Sequence, residues 1–469
     1  MSATLLSDPR DLAQLAERGI APAEAERQLA LLARPAGHAD LVRPCTIGDG
    51  IERLSSTRID ALLAAHAQAA SIGRVSAFVP ASGAATRMFR ELLAARELPG
   101  PLMPEAIRAS ADPNARALRE FMDELPRFAF ADALAGVLAR AGTRLETLRR
   151  DGPWRPVLDA FLDPSGLDAA RAPKGLLPFH REGGEVRTAF EEHLIEACAL
   201  ASDAAGTRLL DVTVSPEHRE GFERLLRERT GSLAQRHGGR WQVTFSEQHP
   251  STDTLAADPK GGPFRDERGR LLFRPSGHGA LIANLAESGR DLVFLKNIDN
   301  VAVSRLKGET ERWSRALVGL AAELSAAIHD RPVRVCGMVA NTGEPGGGPF
   351  WVRGTDGVSA QIVESAQVDL ASASQAAVFQ AATHFNPVFM AASLRDDAGR
   401  PHDLSRFVDD AAVIITRKSH GGRELLALER PGLWNGAMAR WHTRFVEVPL
   451  AVFNPVKTVF DLLRPEHQA

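Results

Sequence analysis

Residues 74–92 read RVSAFVPASGAATRMFREL, and how this stretch turns decides the fold. Val75–Pro80 is an apolar run of strand length, too short for a helix. Ala81 to Ala85 are tiny, Thr86 and Arg87 follow, and a helix-like pattern begins after them. Strand, small-residue loop and helix together present backbone N–H groups and a helix dipole to an anion such as phosphate. Ser82, Gly83, Ala84, Ala85 and Thr86 would form the cradle, and Arg87 could add a bidentate charge contact. An ordinary strand-to-helix turn uses the same residue types.

Working outward, residues 8–36 and 57–72 have the period of Ala- and Leu-rich amphipathic helices. Residues 88–170 are helical by period, cut by Pro126 and by Pro/Gly clusters at 99–104 and 152–166. Beyond them strands alternate with helices. Residues 208–216, 240–248, 291–299 and 331–340 read as strands, and 187–201, 217–230 and 312–328 as helices. That alternation predicts an α/β fold with a mainly parallel or mixed sheet. Ligands of such sheets sit outside the carboxyl ends of the strands. Ser82–Arg87, Gln248 onward and Asn297–Asn300 all fall at such ends. The organisation expected is a helical N-terminal region, 1–72, then an α/β domain, 73–400, carrying a helical insertion at 88–171. Residues 401–469 complete the site.

Composition bounds the partners. The chain has 469 residues, 44% hydrophobic and 25% charged, with 56 Lys+Arg against 59 Asp+Glu and a net charge of −3. Nucleic-acid and polybasic membrane binders carry a basic excess that is missing here. Cys45, Cys198 and Cys336 lie far apart, which argues against a structural zinc site and for a reducing cytoplasm. No signal layout opens the sequence, and no window of about 18 apolar residues occurs.

Several further segments have both a chemical and a plain reading. Lys174, between Pro173 and Gly175, could reach a phosphate as a point charge or be a solvated loop lysine. Gly277-His278-Gly279 would let a flat ligand approach the backbone, or be a turn with an exposed histidine. Asp299, in Asn297-Ile298-Asp299-Asn300, stands at the tip of an apolar strand. It suits a Mg²⁺ ion carried by phosphates, which needs one or two carboxylates, but an Asx-turn looks the same. GEPGGGPFW at 343–351 must be a loop, and IVESAQVD at 362–369 alternates like a strand. Asn386 sits beside an apolar run, and Lys457 between a proline-fixed turn and a helix.

The order of these pieces resembles the UDP-sugar pyrophosphorylases, and the UDP-glucose enzymes above all. The family loop G-G-x-G-T-R is matched by Ser82-Gly83-Ala84-Ala85-Thr86-Arg87, and its P-K motif by Pro173-Lys174. Its F-x-Q…P segment is similar to Phe245 through Gln248 and Pro250, with one residue extra. P-x-G-H-G is matched by Pro275 to Gly279, and S-N-I-D-N-L by Lys296 to Val301. E-x-A-Q-V is matched by Glu364 to Val368, F-N by Phe385-Asn386, and P-V-K-T-x-x-D-L-L by Pro455 to Leu463.

The resemblance covers about residues 74–92 and 172–464. It implies a Rossmann-like nucleotidyltransferase fold with a mixed central sheet, from a bacterial branch described only as a domain of unknown function. It also implies transfer of a nucleotide, UTP first, to a sugar-1-phosphate with release of pyrophosphate and with Mg²⁺ as cofactor. The catalytic residues would be Arg87, Lys174 and Lys457, with Asp299 on the metal. Ser82 to Thr86, Gln248, Gly277 and His278 would bind the nucleotide, and Glu364 and Asn386 the sugar. Departures are Ser82 and Ala85 in place of glycines, about 80 helical residues between loop and P-K motif, and an expected lack of the family's C-terminal β-helix. The loop replacements motivate the alternative of a non-catalytic nucleotide or sugar-phosphate binding protein on the same fold.

Overall fold

The computed structural model describes residues 6, 8–34, 37–83, 85–343, 347–355 and 357–469. The chain forms two compact units from interleaved segments. The first is Met1–Phe78, Ser246–Leu295 and Ser314–Leu450; the second is Val79–Phe245, Lys296–Trp313 and Ala451–Ala469.

The first unit is built on a mixed sheet. Its strands lie in the order Thr46–Ile47, Gly50–Glu52, His442–Glu447, Val333–Ala340, Phe389–Ser393, Leu292–Lys296, Val75–Pro80. Val333–Ala340 is parallel to His442–Glu447 and antiparallel to Phe389–Ser393. Leu292–Lys296 is parallel to Val75–Pro80, with Leu292 opposite Val75 and Leu295 opposite Phe78. Both strands are apolar without alternation because both faces are covered. Phe78, Val293, Leu295, Met338, Met390 and Leu285 share the core.

A four-stranded sheet in the same unit, ordered Phe273–Arg274, Thr254–Ala257, Arg423–Glu429, Ile414–His420, is covered by the N-terminal helices. The single helix expected over 8–36 is two, Pro9–Arg18 and Pro22–Leu32, because Gly19 takes a left-handed conformation and ends the first. Their Leu15, Ala25 and Leu29 pack on Leu255 and Leu428. A three-stranded sheet joins Asp40–Pro44, Gly348–Gly354 and Gly357–Val363.

Two expectations need correction here. The strand read over 362–369 stops at Val363, since Glu364 caps the 3-10 turn Ser365–Gln367. The loop read over 343–351 already contains the strand Gly348–Gly354, paired along Gly357–Val363. Its residues 344–346 lie outside those described.

In the second unit Thr207–Val214 and Arg240–Glu247 lie side by side, joined through helix Arg219–His237. The hairpin Pro178–Glu182/Glu185–Thr188 leads into helix Ala189–Leu200. That helix starts with a capping box, Thr188 and Glu191 satisfying each other's backbone N–H groups. Short helices from Arg90 to Leu162 form the expected helical block around Phe89, Phe121, Phe128, Phe130 and Phe161, the last two with ring centroids 4.6 Å apart. Among the described residues no helix is long and apolar enough to cross a membrane.

Candidate functional site

Parallel pairing of Leu292–Lys296 with Val75–Pro80 makes the loops that follow them leave from the same sheet edge. Those loops, Ala81–Arg87 and Asn297–Asn300, belong to the second unit. The Ala81 N–H donates to Thr213 O at 2.8 Å, and Ser215 Oγ donates to Ser82 O at 2.9 Å. The Ala85 N–H donates to Ala172 O at 3.2 Å and the Lys174 N–H to Gly83 O at 3.5 Å. Pro173-Lys174 therefore lies against the loop despite the long helical insertion between them. Among the described residues no acceptor takes the amides of Ser82 or Gly83. Thr86 and Arg87 are exposed, and Ala84 lies outside the described residues.

Lys174 Nζ donates to Asp299 Oδ2 at 2.7 Å and to Val456 O at 2.7 Å. Lys457 Nζ donates to the same Asp299 oxygen at 3.0 Å. Burial works to raise the Asp299 carboxyl, but the ammonium groups of Lys457 and Lys174 hold it below its ordinary value. One carboxylate between two ammonium groups leaves one positive charge in excess.

Several backbone links place Lys457. The Val456 N–H donates to Asp299 O at 3.0 Å. Asp461 Oδ2 accepts from the N–H groups of Lys457 and Thr458, each at 2.7 Å. Asn300 accepts from the Asn454 N–H at 2.8 Å and donates to Val452 O at 3.1 Å.

Asp299 Oδ1 takes no hydrogen bond among the described residues, so it can serve a hard cation. No group of three or more His, Cys, Asp or Glu side chains gathers to hold a metal among those residues. One carboxylate oxygen fits an ion whose other ligands are phosphate oxygens and waters.

The other sequence candidates belong to the first unit. The His278 ring stacks on Trp434 at 4.0 Å between centroids and 17° between planes. His278 Nδ1 accepts from the Leu433 N–H at 3.0 Å, which puts the ring proton on Nε2, 4.0 Å from Glu364 Oε1. Burial lowers the His278 pKa, against the opposing pull of Glu364 and Glu429. Gly279 is required because a side chain there would run into the Pro431 carbonyl. The loops at 277–279 and 431–435 thus interlock.

Glu364 accepts from the Gln367 backbone N–H, and Asn435 Nδ2 donates to Gln367 Oε1 at 2.8 Å. The Asn386 N–H donates to Gly347 O at 2.8 Å, and Gly347 lies beside the Glu364 side chain. Gln248 hydrogen-bonds Thr252 Oγ1 at 3.5 Å and not His278.

Residues 8–330 and 326–468 match the family described as Domain of unknown function (DUF4301). The chain belongs to the DUF4301 family. No curated protein matches it. Among solved structures, the uridine diphosphate N-acetylglucosamine pyrophosphorylase from Trypanosoma brucei is 16% identical over 98% of this chain and 80% of that one, with a TM-score of 0.54. A UDP-glucose pyrophosphorylase variant from Leishmania major is 13% identical over 99% and 78%, with a TM-score of 0.50. The likeness is one of fold: the DUF4301 chain has the mixed α/β nucleotidyltransferase fold of these pyrophosphorylases, as its motif order implies.

Reading the DUF4301 sequence alone passes over Trp434, Asn435 and the Val456 carbonyl. Trp434 and Asn435 stand in PGLWNG, residues 431–436, whose glycines signal only a turn. A backbone acceptor such as Val456 O leaves no trace in residue type. Also missed is a set of charges on helix Ala189–Leu200. There Glu192, His193 and Glu196 sit among Phe190, Leu194, Ile195 and Ala197, leaving no polar face. Charges on a helix with no polar face were the available signal.

Proposed function

We propose that the protein transfers a nucleotide from a nucleoside triphosphate, UTP first, to a sugar-1-phosphate and releases pyrophosphate. The observation that carries this reading is the pair Lys174 and Lys457 on one Asp299 oxygen, beside a loop whose Ser82 and Gly83 amides meet no acceptor among the described residues. The net positive charge suits a polyphosphate. An oxygen of the sugar phosphate forms a bond to the α-phosphorus, and the bond from that phosphorus to the β-phosphate oxygen breaks. The attacking phosphate is already anionic, so no general base is needed.

Positioning and charge neutralisation then supply the catalysis. Arg87 with the Ser82 and Gly83 amides would hold the leaving pyrophosphate, and Lys174 and Lys457 would neutralise charge at the α-phosphate. Asp299 would take one position on the Mg²⁺ that arrives with the triphosphate. By motif order alone, Gln248, Gly277 and His278 would serve base and ribose, the His278–Trp434 stack offering a flat surface, and Glu364 and Asn386 the sugar hydroxyls. The names of the structural neighbours, which are UDP-sugar pyrophosphorylases, favour uridine. Three free cysteines suit a reducing cytoplasm.

A second reading, a binding protein without catalysis, is favoured by one observation. The Ala85 amide is already used by Ala172 O, which leaves fewer donors for a phosphate. A matrix of nucleoside triphosphates against sugar-1-phosphates with Mg²⁺, followed by pyrophosphate release, separates the two. Turnover with a UTP pair supports transfer. Thermal stabilisation by nucleotide with no pyrophosphate from any pair would establish the binding protein instead.

A further inference from the structure

Behind Asp299 lies a buried network of charges with no direct part in the proposed reaction. Glu192 Oε1 meets His180 Nδ1 at 2.8 Å, and His180 Nε2 meets His467 Nδ1 at 2.9 Å. Lys307 Nζ lies 2.9 Å from Glu192 Oε2 and 3.3 Å from Glu196 Oε1. Lys296 Nζ donates to Glu196 Oε2 at 2.7 Å, and His193 Nε2 to Ile298 O at 3.2 Å. Every one of these side chains is buried, His180 and Glu192 completely.

Two features set the network apart from ordinary packing. Its carboxylates Glu192 and Glu196 balance the ammonium groups of Lys307 and Lys296, and Arg187, 3.7 Å from Glu192 Oε1, is itself paired with Glu182 at 3.0 Å, so the excess positive charge stays with Lys174, Asp299 and Lys457. It also ends on the two segments that form that cluster. Ile298 immediately precedes Asp299 and Lys296 lies three residues before it, and His467 lies ten residues after Lys457 on the closing segment. Lys174 bridges the same two segments through Asp299 Oδ2 and Val456 O. Buried ion networks are often no more stabilising than apolar packing of the same volume, whereas they do impose direction and register.

We propose that Glu192, with His180, His467, Lys307, Glu196 and Lys296, is a positioning network. From helix Ala189–Leu200 it fixes the two segments that carry Asp299 and Lys457. The functional meaning of the positioning rests on the transferase reading; the positioning itself does not. Glu192→Gln keeps the volume and an acceptor for His180, but gives Lys307 an amide in place of a carboxylate. Loosening either segment frees Lys174, whose side chain is 14% exposed.

The test is acylation of lysines by an amine-reactive ester in the full chain without substrate, mapped by mass spectrometry well below the unfolding midpoint. Glu192→Gln should raise the Lys174 rate about tenfold, as for an interaction of about 1.4 kcal/mol, while Lys260 in the first unit stays constant. Phe121→Ala, in the helical block of the second unit, provides a destabilised control that should leave Lys174 protected. His467→Phe keeps ring volume, removes the hydrogen bond and should act as Glu192→Gln does. Wild-type protection of Lys174 in a folded Glu192→Gln or His467→Phe variant overturns the proposal, as does equal exposure in Phe121→Ala. If Glu192→Gln does not fold, His467→Phe decides. If no substrate pair turns over, the labelling result stands and only the transferase reading falls.

Discussion

At the scale of the residue, Asp299 separates stability from function. It is buried and shared by two ammonium groups, whereas Lys457 is 59% exposed and Lys174 only 14%. Lys457→Ala leaves Asp299 paired with Lys174, so the expected loss is under about 1 kcal/mol. Asp299→Asn strands Lys174 without a counter-charge and should cost about 3 kcal/mol. Each should lower turnover about 100-fold, the effect of losing one charge stabiliser. Urea denaturation beside pyrophosphate release checks both. Wild-type turnover in Lys457→Ala would make the Lys457–Asp299 contact purely structural.

At the scale of the element, close approach matters as much as pattern. Helix Lys307–Ser325 carries Gly319, where a methyl group would fall inside contact distance of the Leu62 carbonyl of helix Ser56–Ser71. Backbone cannot yield as a flexible side chain does. Gly319→Ala should therefore destabilise by about 1–3 kcal/mol despite the better helix propensity of alanine. A raised or unchanged thermal midpoint would show that the two helices slide apart at no cost.

Elements like these were legible where apolar period is long. Val75–Pro80 has the bounds its residues predict, Leu292–Lys296 lies inside the strand expected over 291–299, and helix Lys307–Ser325 overlaps the one expected over 312–328. The short strands Asp40–Pro44, Phe273–Arg274 and Pro178–Glu182 do not follow from their residues, because their pairing comes from distant chain rather than local propensity. The same holds for the candidate site. Lys174, Asp299 and Lys457 stand out by motif, and the structure brings them together. The buried partners Glu192, His180 and His467 are each unremarkable until the fold makes them neighbours.

At the scale of the whole molecule, a net charge of −3 from 56 basic and 59 acidic residues conceals an uneven response to pH. Burial holds His193 down to about 4, and burial with the neighbouring His180 holds His467 down to about 3, against an ordinary 6.5. Both rings are neutral in the folded chain at pH 5.5 and protonated in the unfolded one. The stability this gives is present above about pH 6.5 and is lost as pH falls towards 4 and 3. Burial would raise Glu192 and Glu196, yet their lysine partners hold each down to about 2, from an ordinary 4.5. That contribution is present above about pH 4.5 and is lost as pH falls towards 2. All four groups act in the same direction, with the histidines first. The two protons these rings take up on unfolding contribute a slope of about 3 kcal/mol per pH unit near pH 5.5, and burial lowers His237, His278, His384, His402 and His442 in the same direction. The urea midpoint should hold from pH 8 to 7 and then drop steeply between pH 6.5 and 5. His467→Phe, which removes one of these titrating rings, should flatten the drop. A midpoint unchanged between pH 7 and 5 would mean that these rings are solvated, and that the network behind Asp299 is open to water.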